Sequence, residues 1–312
     1  MTSRFYLETL GCPKNQVDSD KLTGRLLADG LVPTEDASEA DLVVVNTCAF
    51  IEAARQESVD TILALADVKA DDARLVVTGC MAERYGHELA DALPEVDLVA
   101  GFGASLLADP ALADPVLIDT AHAGSPTAVA VTIGAKPRAV PAFDLLNLPR
   151  PPSERPWAYV KVAEGCDRAC GFCAIPSFRG PQRSRPVDAI LREIDELAAQ
   201  EIVLVAQDLA SYGRDQGVGE RSIVALVQAA AERVRRVRLL YLYPSDLTDA
   251  LVDAVCATGV PYFDLSLQHV SRPLLRRMRR WGHGGIFLDR IRAIREREPD
   301  AAFRSNFIVG YP

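Results

Sequence analysis

The sequence predicts an α/β protein in two parts: an N-terminal parallel-sheet βα domain, then a (β/α) partial TIM-type barrel truncated at its C-terminus. Two observations predict this. Short apolar runs alternate with segments of helical periodicity over residues 1–100, and do so again over 156–312; a proline-rich stretch without that rhythm separates them. The length points the same way, since 312 residues with 49% apolar content exceed one typical domain and suffice for two cores.

In the first series, strands are expected at Phe5–Leu10, Asp41–Asn46, Leu75–Thr78 and Asp97–Ala100. Helical spacing marks Lys21–Ala28, with Ser19 as its cap, then Ala53–Ala66 and, more weakly, Glu83–Leu93. Repeated βα units of this kind imply a parallel sheet between helices. Prolines crowd the chain from Pro110 to Pro156, so residues 101–155 read as a connecting region, with room for strand pairing at Ala128–Ile133.

The second series opens with a strand at Tyr159–Val162 that leads into a cysteine-bearing loop. A helix at Val187–Gln200, a strand at Glu201–Ala206 and a helix at Ser222–Arg233 follow. Val237–Tyr241, Tyr262–Leu267 and Ala302–Val309 are the remaining strands; Asp249–Thr258, Pro273–Arg279 and Ile286–Glu298 are the remaining helices. About five strands of a barrel result, and barrel sites lie at the carboxyl ends of strands. The chain stops at Gly310-Tyr311-Pro312, directly after a strand, which leaves the barrel open and suggests a fragment of a longer protein.

No apolar run reaches membrane-spanning length and the first residues do not form a secretory signal. Seven cysteines, an odd number at metal-ligand spacings or strand ends, suit a reducing compartment better than a disulfide framework, so the expected location is cytoplasmic. The net charge of −9 is uneven: residues 1–150 carry 11 Lys and Arg against 23 Asp and Glu, and residues 151–312 carry 23 against 20. An acidic first half disfavours nucleic acid and suits a basic protein partner, although from charge alone a merely solvated acidic surface is the better reading.

Chemistry is concentrated in cysteines. Cys166, Cys170 and Cys173 leave three residues and then two between successive thiols. Three thiolates at that spacing can hold three corners of a four-iron cluster and leave the fourth iron open for a cofactor. A structural zinc site on Cys170 and Cys173 is the plainer alternative, but zinc wants four protein ligands and no Cys or His follows within eighty residues. Cys12, Cys48 and Cys80 each end an expected strand, and the carboxyl ends of parallel strands converge on one sheet edge. A second three-thiolate cluster is therefore expected there, against the alternative of three small buried hydrophobes. Cys256 lies on an apolar helical face with Leu251, Val252 and Val255 and reads as core.

Glu-Gly-Cys-Asp-Arg-Ala-Cys-Gly-Phe-Cys resembles the radical S-adenosylmethionine motif, and two three-cysteine sets in this order resemble the methylthiotransferase family of such enzymes along the whole chain. Leu-Gly-Cys-Pro-Lys-Asn with Asp18-Ser19 resembles the branch that modifies a ribosomal protein (RimO-type); transfer-RNA-modifying relatives (MiaB-type) usually carry Gln-Met where Pro13-Lys14 stands. Ala206-Gln207-Asp208, Tyr243-Pro244, Leu267-Gln268-His269 and Phe307–Pro312 also match family barrel segments. The rest of the barrel and the family's C-terminal β-barrel domain are absent.

The resemblance implies attachment of a methylthio group to the β-carbon of an aspartate in ribosomal small-subunit protein S-twelve, with two 4Fe-4S clusters and S-adenosylmethionine as cofactors. It implies that the open iron of Cys166, Cys170 and Cys173 delivers an electron to the bound sulfonium, giving a deoxyadenosyl radical, and that the second cluster holds the sulfur. An electron donor and a sulfur source are required partners. For cofactor binding it implies Phe172 and Ala174 near adenine and Gln207 and Asp208 at a strand end, with Arg238, Tyr243, Gln268 and His269 as weaker candidates. Gln207-Asp208 could equally cap a turn, Arg238 could be a surface charge, and His269 a satisfied loop histidine. The Arg272–Arg280 stretch reads as a solvated helix face, because Leu274, Leu275 and Met278 give it an inward stripe. A transfer-RNA adenosine 2-methylthiotransferase and a non-catalytic iron–sulfur module are the competing classes.

Overall fold

The computed structural model describes residues 3–102, 104–107, 144–217 and 222–312; the strand considered at Ala128–Ile133 lies outside them. The chain divides into two compact units, Met1–Arg150 and Pro151–Pro312.

The first unit is built on five parallel strands in the order β2-β1-β3-β4-β5: β1 (Arg4–Thr9), β2 (Val32–Pro33), β3 (Leu42–Thr47), β4 (Arg74–Gly79) and β5 (Leu98–Val99). The central strands are unbroken apolar runs because both sheet faces are covered. All six residues of β3 are buried, and Val43, Val44 and Val45 are fully so, each contributing about 1.5–3 kcal/mol by leaving water. Helices α1 (Pro13–Ala28), α2 (Glu52–Val68) and α3 (Cys80–Ala92) follow β1, β3 and β4.

Helix α1 differs from its expectation of Lys21–Ala28. It starts eight residues earlier, with Pro13 at its first position, and Ser19 is a buried interior residue rather than a cap. The first two turns bury Asn15, Asp18 and Ser19, polar residues that hide the apolar period. They are buried because the strand ends offer partners: Ser19 Oγ accepts from Thr9 Oγ1 at 2.7 Å and from Asn46 Nδ2 at 2.9 Å.

The second unit is also a five-stranded parallel sheet, in the order β12-β11-β10-β9-β6: β6 (Trp157–Lys161), β9 (Glu201–Val205), β10 (Arg236–Leu242), β11 (Tyr262–Gln268) and β12 (Ala302–Phe307). Helices α5 (Val187–Leu197), α6 (Ser222–Ala231), α7 (Asp249–Cys256), α8 (Arg272–Arg277) and α9 (Gly284–Arg297) alternate with these strands. The core joins Val160, Ile202, Leu204, Leu239 and Phe263 on the sheet to Ile190, Ile194, Leu226 and Val252 on helices, which is the arrangement of an open barrel segment. A short antiparallel ribbon, β7 (Ala163–Glu164) with β8 (Arg183–Ser184), leaves the end of β6, and the cysteine loop with the short helix α4 (Ile175–Arg179) lies between its strands. Among the described residues no helix is long and apolar enough to cross a membrane.

Candidate functional site

In the first unit, β1, β3 and β4 are neighbours in the sheet, so Cys12, Cys48 and Cys80 sit just beyond three adjacent carboxyl ends. Two glycines allow the close approach. Gly11 has φ +96°, and a Cβ there would lie 2.8 Å from Cys48 Cβ and 2.9 Å from its Sγ. Gly79 has φ +92°, and its Cβ would lie 2.3 Å from Asn46 Oδ1 and 2.6 Å from the Thr47 nitrogen.

Asn15, fully buried, ties the three ends together. Its Nδ2 donates to the carbonyls of Leu10 and Thr47, both at 2.9 Å, and its Oδ1 lies 3.5 Å from Cys80 Sγ. Ser58 holds Cys48 from the other side, accepting from its N–H at 3.2 Å and donating to its carbonyl at 3.1 Å. Burial pushes the Cys48 thiol up, and the nearby Cys80 and Cys12 charges push it further.

In the second unit, the loop carrying Cys166, Cys170 and Cys173 is closed at its base. Gly165 has φ +78°, and a Cβ there would fall 2.1 Å from the Pro181 carbonyl oxygen; the Cys166 N–H donates to the Gly180 carbonyl at 3.1 Å. Beneath the loop, Glu164 pairs with Lys161 and, at 2.8 Å, with Arg179, and accepts from Gln207 Nε2 at 2.5 Å. Burial alone would raise the Glu164 carboxyl, but Arg179 and Lys161 outweigh it and hold it well below the usual carboxylate range. Higher in the loop, Arg168 reaches across to the strand ends. It bonds Asp208 through Nε at 2.6 Å, pairs with Asp246, and lies 3.8 Å over the Tyr243 ring. Its backbone N–H points at Cys166 Sγ at 3.4 Å. Burial raises the Cys166 thiol to about 11, with Asp208 and the other two cysteines adding to the effect.

All three loop cysteines line one cavity of about 520 Å³, together with Arg168, Pro176 and Ser177. That volume is in the range of small-ligand sites, roughly 300–1,000 Å³. Beside the loop, Gln207 Oε1 and Asp208 Oδ1 are buried acceptors without a hydrogen-bond partner among the described residues. Buried acceptors left bare are uncommon and fit a ligand carrying donors, such as the amine and ribose of S-adenosylmethionine. Among the described residues no three His, Cys, Asp or Glu side chains converge on a single ion. That does not match a mononuclear zinc site, whereas a four-iron cluster holds its thiolates on separate irons.

The structure brings Gln207, Asp208 and Tyr243 to the strand ends beside the cysteine loop. Phe172 packs on the core edge-to-face with Tyr311, ring centroids 6.4 Å apart, and Ala174 precedes α4. Gln268, at φ +67°, ends β11, and His269 Nδ1 accepts the Ser271 N–H at 2.9 Å. Arg238 is a correction. It lies near the start of β10, ion-paired with Glu201 at 2.9 Å in a separate cavity walled by strand beginnings, away from the other candidates. The residues that the sequence reading passed over are Asn15, Glu164, Arg168, Arg179 and Arg280. Asn15, Glu164 and Arg168 stand inside or against the cysteine motifs, which is a usable signal; Arg179 and Arg280 are distinguished only by where they fold.

Residues 4–101 match the model of an uncharacterized protein family, UPF0004, and residues 160–312 match the Radical SAM superfamily. The chain is 42% identical to a ribosomal protein uS12 methylthiotransferase RimO of Kineococcus radiotolerans, over all of this chain and 69% of that protein. A protein of the same name from Sorangium cellulosum is 43% identical over all of this chain and 64% of its own length. The chain thus spans about two-thirds of the length of these relatives. Among solved structures, the radical S-adenosylmethionine methyltransferase TsrM from Kitasatospora setae matches at a TM-score of 0.60 and 13% identity, covering all of this chain and 68% of its own; this likeness concerns the fold.

Proposed function

We propose, for a chain that belongs to the ribosomal protein uS12 methylthiotransferase family of radical SAM enzymes, that it adds a methylthio group to the β-carbon of an aspartate in ribosomal protein uS12. The observation that carries this reading is that each unit presents three cysteines at the carboxyl end of its parallel sheet. Cys166, Cys170 and Cys173 would hold the cluster that binds S-adenosylmethionine, and Cys12, Cys48 and Cys80 a second. When bound, these groups supply an electron, a hydrogen-abstracting radical, the sulfur and the methyl.

The chain's own residues do the positioning. Gly165 and the β7–β8 ribbon close the loop, and Arg168 fastens it to the ends of β9 and β10 through Asp208 and Asp246. Gln207 and Asp208 offer acceptors to the cofactor, with Tyr243, Phe172, Ala174 and Gln268 around them. An external electron donor and sulfur source would complete the reaction; the acidic first half suits a basic ribosomal protein, and a ribosomal substrate supports a cytoplasmic enzyme.

The deciding experiment supplies the reconstituted protein with S-adenosylmethionine, reductant, sulfide, purified uS12 and transfer RNA together. Methylthio mass is expected on an aspartate-containing peptide alone. Modification of the RNA with none on the peptide would assign the chain to the other branch.

A further inference from the structure

Among the cysteine ligand candidates, Cys170 has a guanidinium against its sulfur. Arg280, three residues past the end of α8, points Nη1 at Cys170 Sγ at 3.3 Å. Its Nη2 donates to the Ser266 carbonyl on β11, and its guanidinium carbon lies 4.3 Å from the Tyr243 ring centroid. The backbone is pinned as well: Arg280 N–H donates to Leu275 at 2.8 Å, Trp281 N–H to the Tyr243 hydroxyl at 3.2 Å, and Gly171 N–H to Met278 at 2.9 Å. The guanidinium therefore has little freedom to leave the sulfur.

Its charge is also uncompensated. Arg168, on the same aromatic ring, is neutralised by Asp208 and Asp246, whereas no carboxylate lies within ion-pair distance of Arg280 among the described residues. A fixed cation donating a hydrogen bond to a thiolate ligand favours the reduced cluster, which carries one more negative charge. Hydrogen bonds to the ligand sulfurs are among the levers that set the potential of such a centre.

We infer that Arg280 is a positioning residue that raises the electron affinity of the cluster held by Cys166, Cys170 and Cys173, acting through the Cys170 sulfur. This rests on the proposed cluster reading. It is tested by a redox titration of the anaerobically reconstituted full chain, followed by electron paramagnetic resonance through the signal that responds to S-adenosylmethionine. Arg280→Met is expected to keep the wild-type iron content while its reduced-to-oxidised ratio at a fixed potential falls about tenfold, equivalent to about 59 mV for a one-electron couple. Arg280→Lys, which keeps the charge but not the fork, should shift less in the same direction. An unmoved potential at full iron content overturns the inference. If the methionine variant loses iron, the lysine variant decides: a shift to lower potential supports the inference and an unchanged one overturns it. A wild-type chain with no signal responsive to S-adenosylmethionine overturns the cluster reading itself, a different result from a loaded cluster whose potential does not move.

Discussion

The two cysteine sets solve one problem in opposite ways. Cys166, Cys170 and Cys173 are local: a single loop of the second unit carries them all, and ionic side chains fasten that loop down, Arg168 to Asp208 and Asp246, Arg179 and Lys161 to Glu164. Cys12, Cys48 and Cys80 are dispersed, and only the order of strands β1, β3 and β4 makes them neighbours. Neutral groups brace them, among them the Asn15 amide, the Ser58 hydroxyl and two glycine backbones. Local spacing can therefore specify one site by itself, while the other exists only as a property of a finished sheet.

The largest effects should come from the cysteines. With both sets filled, reconstituted protein should hold roughly eight irons, four per three-thiolate site, and replacing Cys166, Cys170 and Cys173 by alanine should halve that. Cys170→Ala should abolish reductive cleavage of S-adenosylmethionine, whereas Cys48→Ala should retain cleavage and lose sulfur insertion. Loss of cleavage in a folded Cys48→Ala protein would erase the division of labour between the units.

Next come the glycines that bring backbone and side chain together. Gly79→Ala forces a Cβ against Asn46 and Thr47 at positive φ, and strain and overpacking together should cost about 2–4 kcal/mol in urea unfolding. Gly180 also has positive φ (+74°), but a Cβ there meets nothing within 4 Å, so Gly180→Ala should cost backbone strain alone, about 1–2 kcal/mol. The iron lost from Gly79→Ala should be that of the first unit alone; equal loss from both would show that the two sites are not independently braced.

The smallest effect is electrostatic and confined to the second unit. Burial works to raise the Glu164 carboxyl, yet Arg179 and Lys161 lower it from 4.5 to about 2. A folded-state value below the unfolded one stabilises fully above about pH 4.5, and that contribution is lost as the pH falls toward 2. Glu164→Gln should therefore unfold more readily at neutral pH but show a flatter decline in its urea midpoint across that window. Parallel curves for the two proteins would remove Glu164 from the bracing of the loop.

Much of this was legible beforehand, for reasons tied to particular residues. The strands of both sheets announce themselves because Val43–Val45 and Val203–Val205 are apolar runs buried on both faces, a pattern that survives without tertiary information. The strand-end position of Cys12, Cys48 and Cys80 follows from the same runs. Helix α1 was half missed because Asn15, Asp18 and Ser19 are polar yet buried, so the inward face of its first two turns shows little apolar period. Arg280 was misread for the converse reason. Leu275 and Met278 do form the inward stripe that the sequence suggests, but the helix ends at Arg277, and past that end an arginine can turn toward the cysteine loop. Arg238 shows what a residue list without register leaves out. Its side chain turns back to Glu201, the first residue of β9, and so faces the strand beginnings rather than the carboxyl ends where the sulfurs lie.

The order of strands in the first sheet also sets a timetable. As the chain is synthesised, Cys166 is joined by Cys173 after seven further residues, about a second or less at roughly 5–20 residues per second. Cys12 must wait until Cys80 has emerged and β4 has docked beside β3, on the order of ten seconds at similar rates. During that interval Cys12, joined midway by Cys48, travels as part of an incomplete set, exposed to oxidants and to stray metal. Cys80 still emerges 86 residues ahead of Cys166, so iron delivered early would find the first site built and the second not yet made, and the two centres should mature in the order in which their first cysteines leave the ribosome.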